Sequence, residues 1–238
     1  MAKKFIALAE GDSWFNLPNF PISMPVVGGV GTDLVRELQK RNHTIDSIAH
    51  FGDTLTEIAN ARDYLTALKL THYDAFLLCG SGNDLLGGGD LWQYLHIYDP
   101  NKSPRGHIRP SFDAKISQME WLYCVIIETA LDDSKNKDVR IVSHGYDYAI
   151  PQKNGYWMGT SMARQGIVKK SLQKDIVKIM IDELYSMLNR LSRKYKKSFT
   201  YVDFRNTVGK RWYDELHPRK AAFSDLADKL EARVKKVI

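Results

Sequence analysis

Lys4-Phe5-Ile6-Ala7-Leu8-Ala9-Glu10-Gly11-Asp12-Ser13-Trp14 is a short apolar run that breaks abruptly into small and polar residues. A buried parallel strand reads as a continuous apolar run, and open α/β sheets bind ligands in the crevice beyond the carboxyl ends of such strands. The pattern therefore predicts a strand that delivers Ser13 to the rim of a site. Gly11 lets the chain turn sharply, and Asp12 can hydrogen-bond nearby main-chain donors, so the hydroxyl is both exposed and fixed. Taken alone, Gly-Asp-Ser is equally the end of an ordinary strand.

Working outward, three further segments end in similar chemistry. Residues 48–51 run into Gly52-Asp53-Thr54, residues 75–79 run into Gly80-Ser81-Gly82-Asn83-Asp84, and Asp214-Glu215-Leu216-His217-Pro218 follows the last strand-like segment. This ordered set resembles the SGNH (GDSL-like) hydrolase family, whose marks are a GDS serine near the N-terminus, a glycine in a second block, an asparagine in a GxND block and a DxxH block near the C-terminus. Ser13, Gly52, Asn83, and Asp214 with His217 fall in that order across nearly the whole chain. Trp14 stands where the family commonly has leucine, and Ser81 where the GxND glycine usually stands.

The rest of the chain alternates strand and helix patterns. Apolar positions at helical spacing predict helices from Thr32 as N-cap to about Lys40, from Asp53 through Leu68, around 119–130, from Leu172 through Leu191, and from about Lys220 onward. Between them lie strands near 45–50, 75–79, 139–142 and 199–203, which with the first make five. Such alternation implies right-handed βαβ units and a parallel sheet covered on both faces, an α/β fold in three layers. The family resemblance adds a flavodoxin-like strand order of 2-1-3-4-5 and one SGNH-type domain over residues 1–238.

Two stretches stand apart. The prolines of residues 16–25 exclude a helix and suggest a loop forming one wall of the site, and the glycines approaching Gly31 match neither the dinucleotide fingerprint nor the P-loop. Residues 85–111 hold Gly87-Gly88-Gly89, Trp92, Tyr94, Tyr98 and three prolines, which is too aromatic for a plain linker and predicts an insertion lining the pocket.

Composition narrows the class. At 238 residues the chain suits one domain, and no apolar run approaches the roughly 20 residues that span a bilayer. The start Met-Ala-Lys-Lys lacks the long apolar stretch of a signal peptide, so a cytoplasmic address is expected. Cys79 and Cys124 read as buried small hydrophobes rather than a disulfide framework. The net charge of +6 gathers near helix ends and in the C-terminal third without a nucleic-acid motif, so a solvated face is expected and no nucleic-acid partner. Oligomeric state is not written in these patterns.

A serine hydroxyl is a weak nucleophile until a base takes its proton and a third group holds that base in the right tautomer. Of the seven histidines, only His217 has a carboxylate three residues earlier in a loop-like setting ahead of a helix. Glu215 competes with Asp214 for the partner role, and the family motif favours Asp214. By resemblance, Ser13, Asp214 and His217 are catalytic, and the oxyanion donors are the Ser13 and Gly52 amides and the Asn83 side chain. The implied reaction is hydrolysis of a small-molecule carboxylic ester, with a small acyl group, through an acyl-enzyme, without metal or organic cofactor. Two other readings stay open: a non-catalytic carbohydrate- or acyl-binding module on the same fold, and a metal-dependent phosphoesterase using Asp12, Asp53, Asn83, Asp84, His144 and His217.

Overall fold

A computed structural model describes residues 3–18, 31–132 and 135–238. The part of the proline-rich stretch beyond Pro18, and the glycine-rich approach as far as residue 30, lie outside them. Strand β1 (Ile6–Gly11) lies between β2 (Thr44–Ser47), at one edge, and β3 (Ala75–Cys79), at the centre, followed by β4 (Arg140–His144) and β5 (Phe199–Val202). All neighbours are parallel and the order is β2-β1-β3-β4-β5. This is the α/β sheet expected from the sequence.

The helices follow from that order. Right-handed crossovers place α1 (Leu34–Lys40) on one face, where it packs against α7 (Lys220–Val237). The other face carries α2 (Leu55–Ala61), α3 (Asp63–Leu70), α4 (Pro110–Leu131) and α6 (Lys170–Lys194), with α4 packed against the other three. Covered on both sides, β3 is wholly buried, and Phe76, Leu77 and Leu78 each contribute about 1.5–3 kcal/mol by leaving water.

Some boundaries differ from the sequence pattern, each for a local reason. Asp33 rather than Thr32 caps α1, because its carboxylate accepts from the Arg36 amide, while the Thr32 hydroxyl donates to Glu37. The helix expected from Asp53 through Leu68 is two helices. Thr54 and Glu57 form a capping box for the first, which ends where Arg62 adopts a left-handed conformation. A π-turn at Asn83–Gly87 leads into residues 85–111, which contain short 3-10 turns at Leu91–Tyr94 and Arg105–His107. A short helix α5 (Gly159–Arg164), absent from the sequence reading, packs against Leu91–Tyr94.

Register decides what meets at the sheet's carboxyl edge. Gly11 pairs with Cys79, so the turns carrying Ser13 and Asn83 open side by side. Beyond β2 the chain continues along β1, with the His50 amide donating to the Gly11 carbonyl, which brings Gly52 to the same edge.

Candidate active site

The Ser13 turn is fixed from below. The Asp12 carboxylate accepts from the Trp14 amide (2.9 Å), the Cys79 thiol (3.0 Å) and the Tyr146 hydroxyl (2.5 Å), tying together the ends of β1, β3 and β4. Burial raises its pKa, and those three donors work against the rise. Trp14 is also buried. Its ring packs among His144, Tyr146 and Phe204, and its indole N–H donates 3.1 Å to the Leu216 carbonyl. The residue that departs from the family's usual leucine thus fastens the serine turn to the loop bearing His217.

That loop is closed by main-chain bonds between Tyr213 and His217 and between Arg219 and Arg211. Asp214 folds back within it. Its Oδ1 accepts from the Leu216 and His217 amides (both 2.7 Å), and its Oδ2 from His217 Nδ1 at 2.8 Å. With Nδ1 as donor, Nε2 is left as an acceptor, and the Ser13 hydroxyl lies 3.0 Å from it. Asp214, His217 and Ser13 therefore form one continuous hydrogen-bonded chain. Such a chain can move the hydroxyl proton to the imidazole and hold the resulting positive charge.

Glu215, the competing carboxylate, is occupied elsewhere. It accepts four backbone N–H groups, from Gln152, Trp157, Met158 and Gly159, at 2.7–3.0 Å. The loop approaches so closely that a Cβ at Gly155 would stand 1.9 Å from the Glu215 carboxyl carbon, and one at Gly159 would stand 1.6 Å from the Gln152 carbonyl oxygen. Sequence reasoning missed this clamp and the two aromatics it presents, Tyr156 and Trp157. Trp157 meets His217 edge-on, and Phe51 stacks on the same imidazole ring.

These walls enclose a cleft of about 700 Å³ that contains Ser13, Gly52, Asn83 and His217. Gly52 has φ +92°, a conformation open to glycine and strained for other residues. Among the described residues, neither the Ser13 nor the Gly52 amide has a protein acceptor. Asn83 Nδ2 donates one hydrogen to the Asp53 carbonyl at 3.0 Å, and its second remains for the cleft. Behind Ser13 lies a narrow recess of about 20 Å³, walled by Trp14, Leu86, Tyr146, Ala149, Trp212 and Leu216 among others. That is room for roughly one water-sized group.

Of the 85–111 stretch, Gly87 and Gly88 border the cleft and Leu86 the recess. Trp92 lies under Arg164 with its amide on Ser161, and Tyr94 packs edge-on against Phe112. The residues of the phosphoesterase alternative form no group of three His, Asp or Glu side chains that could hold a metal, among the described residues. Asp84 accepts from the Leu55 amide and pairs with Lys115, while His144 is buried in an aromatic cluster that pushes its pKa down to about 4. Ser81 sits at φ +93°, the conformation glycine would favour there.

The fold is the SGNH hydrolase fold, shared over nearly the full chain with lipases and acetylxylan esterases. Similar solved structures include a catalytic mutant of Axe2, an acetylxylan esterase from Geobacillus stearothermophilus (TM-score 0.54, 14% identity, 98% of this chain and 96% of that one). Two lipases are comparable: an extracellular one from Streptomyces rimosus (0.56, 14%, 98% and 99%) and one from a goat rumen metagenome (0.56, 16%, 96% and 97%). At such identities the likeness is one of fold. No protein-family model and no curated protein sequence matches the chain.

Proposed function

We propose that this protein is a serine hydrolase of carboxylic esters with short acyl groups, Ser13 being the nucleophile, His217 the general acid–base and Asp214 its orienting partner. The observation that carries this reading is the unbroken chain from Asp214 through His217 to the Ser13 hydroxyl at the floor of an open cleft. Ser13 Oγ attacks the ester carbonyl carbon as its proton passes to His217 Nε2. The carbonyl oxygen becomes an oxyanion facing the Ser13 and Gly52 amides and the free Asn83 N–H. Removing one such donor typically costs about 2.7–4 kcal/mol of transition-state stabilisation. His217 returns the proton to the departing alcohol, leaving an acyl-serine, and water repeats the sequence with His217 again as base. The narrow recess behind Ser13 supports a short acyl group, and the wide aromatic cleft supports a larger alcohol. A metal centre has no comparable support: Asp84 is committed to the Leu55 amide and Lys115, His144 is buried among aromatic rings, and among the described residues no three His, Cys, Asp or Glu side chains come together to hold an ion.

The test is fluorophosphonate labelling with peptide mapping, alongside turnover of p-nitrophenyl esters from acetate to octanoate. Labelling on Ser13 and rates falling with acyl length are expected, with Ser13→Ala inactive. Labelling of a different serine, or turnover retained in Ser13→Ala, would overturn the assignment.

A further inference from the structure

Among the described residues, eight large apolar side chains are exposed, and five stand on loops that follow β2, β3 and β4 at the sheet's carboxyl edge: Phe51, Ile97, Tyr98, Tyr156 and Val168. Three of these form one tip. Ile97 and Tyr98 are bound to the second segment by a 2.7 Å bond from the Tyr98 amide to the Gln165 carbonyl, and Val168 follows three residues later. Ile97 is 73% exposed, Val168 72% and Tyr98 43%. Isolated exposed apolar residues are ordinary, but two nearly bare aliphatic side chains and a tyrosine on adjoining segments are a patch.

The charge around the tip is predominantly positive, although Asp175 of α6 lines a groove there together with Tyr98, Lys102 and Lys169. Residues 97–109 and 164–170 carry Lys102, Arg105, Arg109, Arg164, Lys169 and Lys170 against the single carboxylate Asp99. Arg105 is paired with Asp113 and Arg164 lies over Trp92. Lys169 and Lys170 are exposed at the N-terminus of α6, whose first turn holds no acidic residue. Cations there oppose the helix dipole, so helix stability does not account for them.

We propose that this tip docks the protein peripherally on an anionic lipid bilayer, Ile97 and Val168 entering the interface, Tyr98 at headgroup level and the lysines over the phosphates. Apolar insertion combined with basic residues is the chemistry of interfacial binding, and tyrosine suits the headgroup zone. Because the tip shares the sheet edge with Ser13, docking would hold the cleft's end of the molecule toward the membrane side. The proposal is independent of the esterase reading.

Co-sedimentation with vesicles tests it, comparing phosphatidylcholine alone with phosphatidylcholine containing phosphatidylglycerol. Each basic residue near an anionic surface is worth roughly a five-fold gain in partition, so Lys169→Gln/Lys170→Gln should weaken binding about ten- to thirty-fold. Ile97→Ser/Val168→Ser should weaken it at least as much, and both variants should keep the wild-type melting temperature. Three results overturn the proposal: no sedimentation with anionic vesicles, equal sedimentation with neutral ones, or binding unchanged in the Ile97→Ser/Val168→Ser variant. Self-association of the lipid-free protein that disappears in that variant would also overturn it, by making a second copy the occupant.

Discussion

Glu10 lies on β1, three residues before Ser13, with its side chain buried and, among the described residues, one hydrogen-bond partner, the Gly11 amide at 2.9 Å. Burial pushes its carboxyl up to about 8 from an ordinary 4.5, the Gly11 bond opposes the rise, and Asp53 and Asp63 add to it. Between those values the folded protein holds a proton that the unfolded chain has released. The folded state therefore binds more protons, and stability must fall as pH rises from about 4.5 to 8, levelling off above. Each unit of pH costs about 1.4 kcal/mol, so moving from pH 6 to pH 8 removes at most about 3 kcal/mol. Glu10→Gln is neutral throughout, nearly the same size, and retains an oxygen for the Gly11 amide. Urea unfolding of both proteins at pH 6, 7 and 8 isolates this contribution, because other titrating groups are common to the pair. The variant should gain on wild type by about 2–3 kcal/mol across that range. A stability difference independent of pH would refute the buried, proton-holding carboxyl.

Further outcomes follow from the site. Asp214→Asn should lower kcat/KM by roughly 10³- to 10⁴-fold on a soluble ester with little change in melting temperature, since the imidazole loses control of its tautomer. At Ser81, Gly should be more stable than Ala by about 1 kcal/mol in thermal unfolding, because both variants lose the 3.4 Å hydroxyl contact with Tyr123 and only alanine keeps the positive-φ strain. Glu215→Gln should destabilise the fold by about 2–4 kcal/mol and admit proteolytic cleavage within residues 150–160, as one amide oxygen cannot serve four N–H donors.

The sheet was legible because its central strands are unbroken apolar runs, which only full burial explains. Ser13, Asp214 and His217 were legible for a related reason: short motifs at strand ends carry their own local geometry, as the Asp214 bonds to residues two and three positions on illustrate. What escaped was tertiary. Nothing near Arg62 marks the break between α2 and α3, since neither glycine nor proline stands there. Glu215 looked like a rival to Asp214, and its partners lie 56 to 63 residues away. The closely spaced Gly155 and Gly159 flanking two aromatics were the one local hint of that loop. Asp147 likewise anchors the Asn206, Val208 and Gly209 amides, a role no spacing reveals.

The Glu215 clamp holds its loop by main-chain groups alone. Tyr156, largely exposed, is thus a panel hung on a frame it does not support, whereas the half-buried Trp157 also packs against the core and His217. The frame is bolted to the residue between Asp214 and Leu216, so the histidine and the wall keep their relative position whatever that panel is. A lineage carrying this arrangement could redecorate that wall of the cleft by substitutions at Tyr156 while the Asp214–His217–Ser13 geometry stayed where it was.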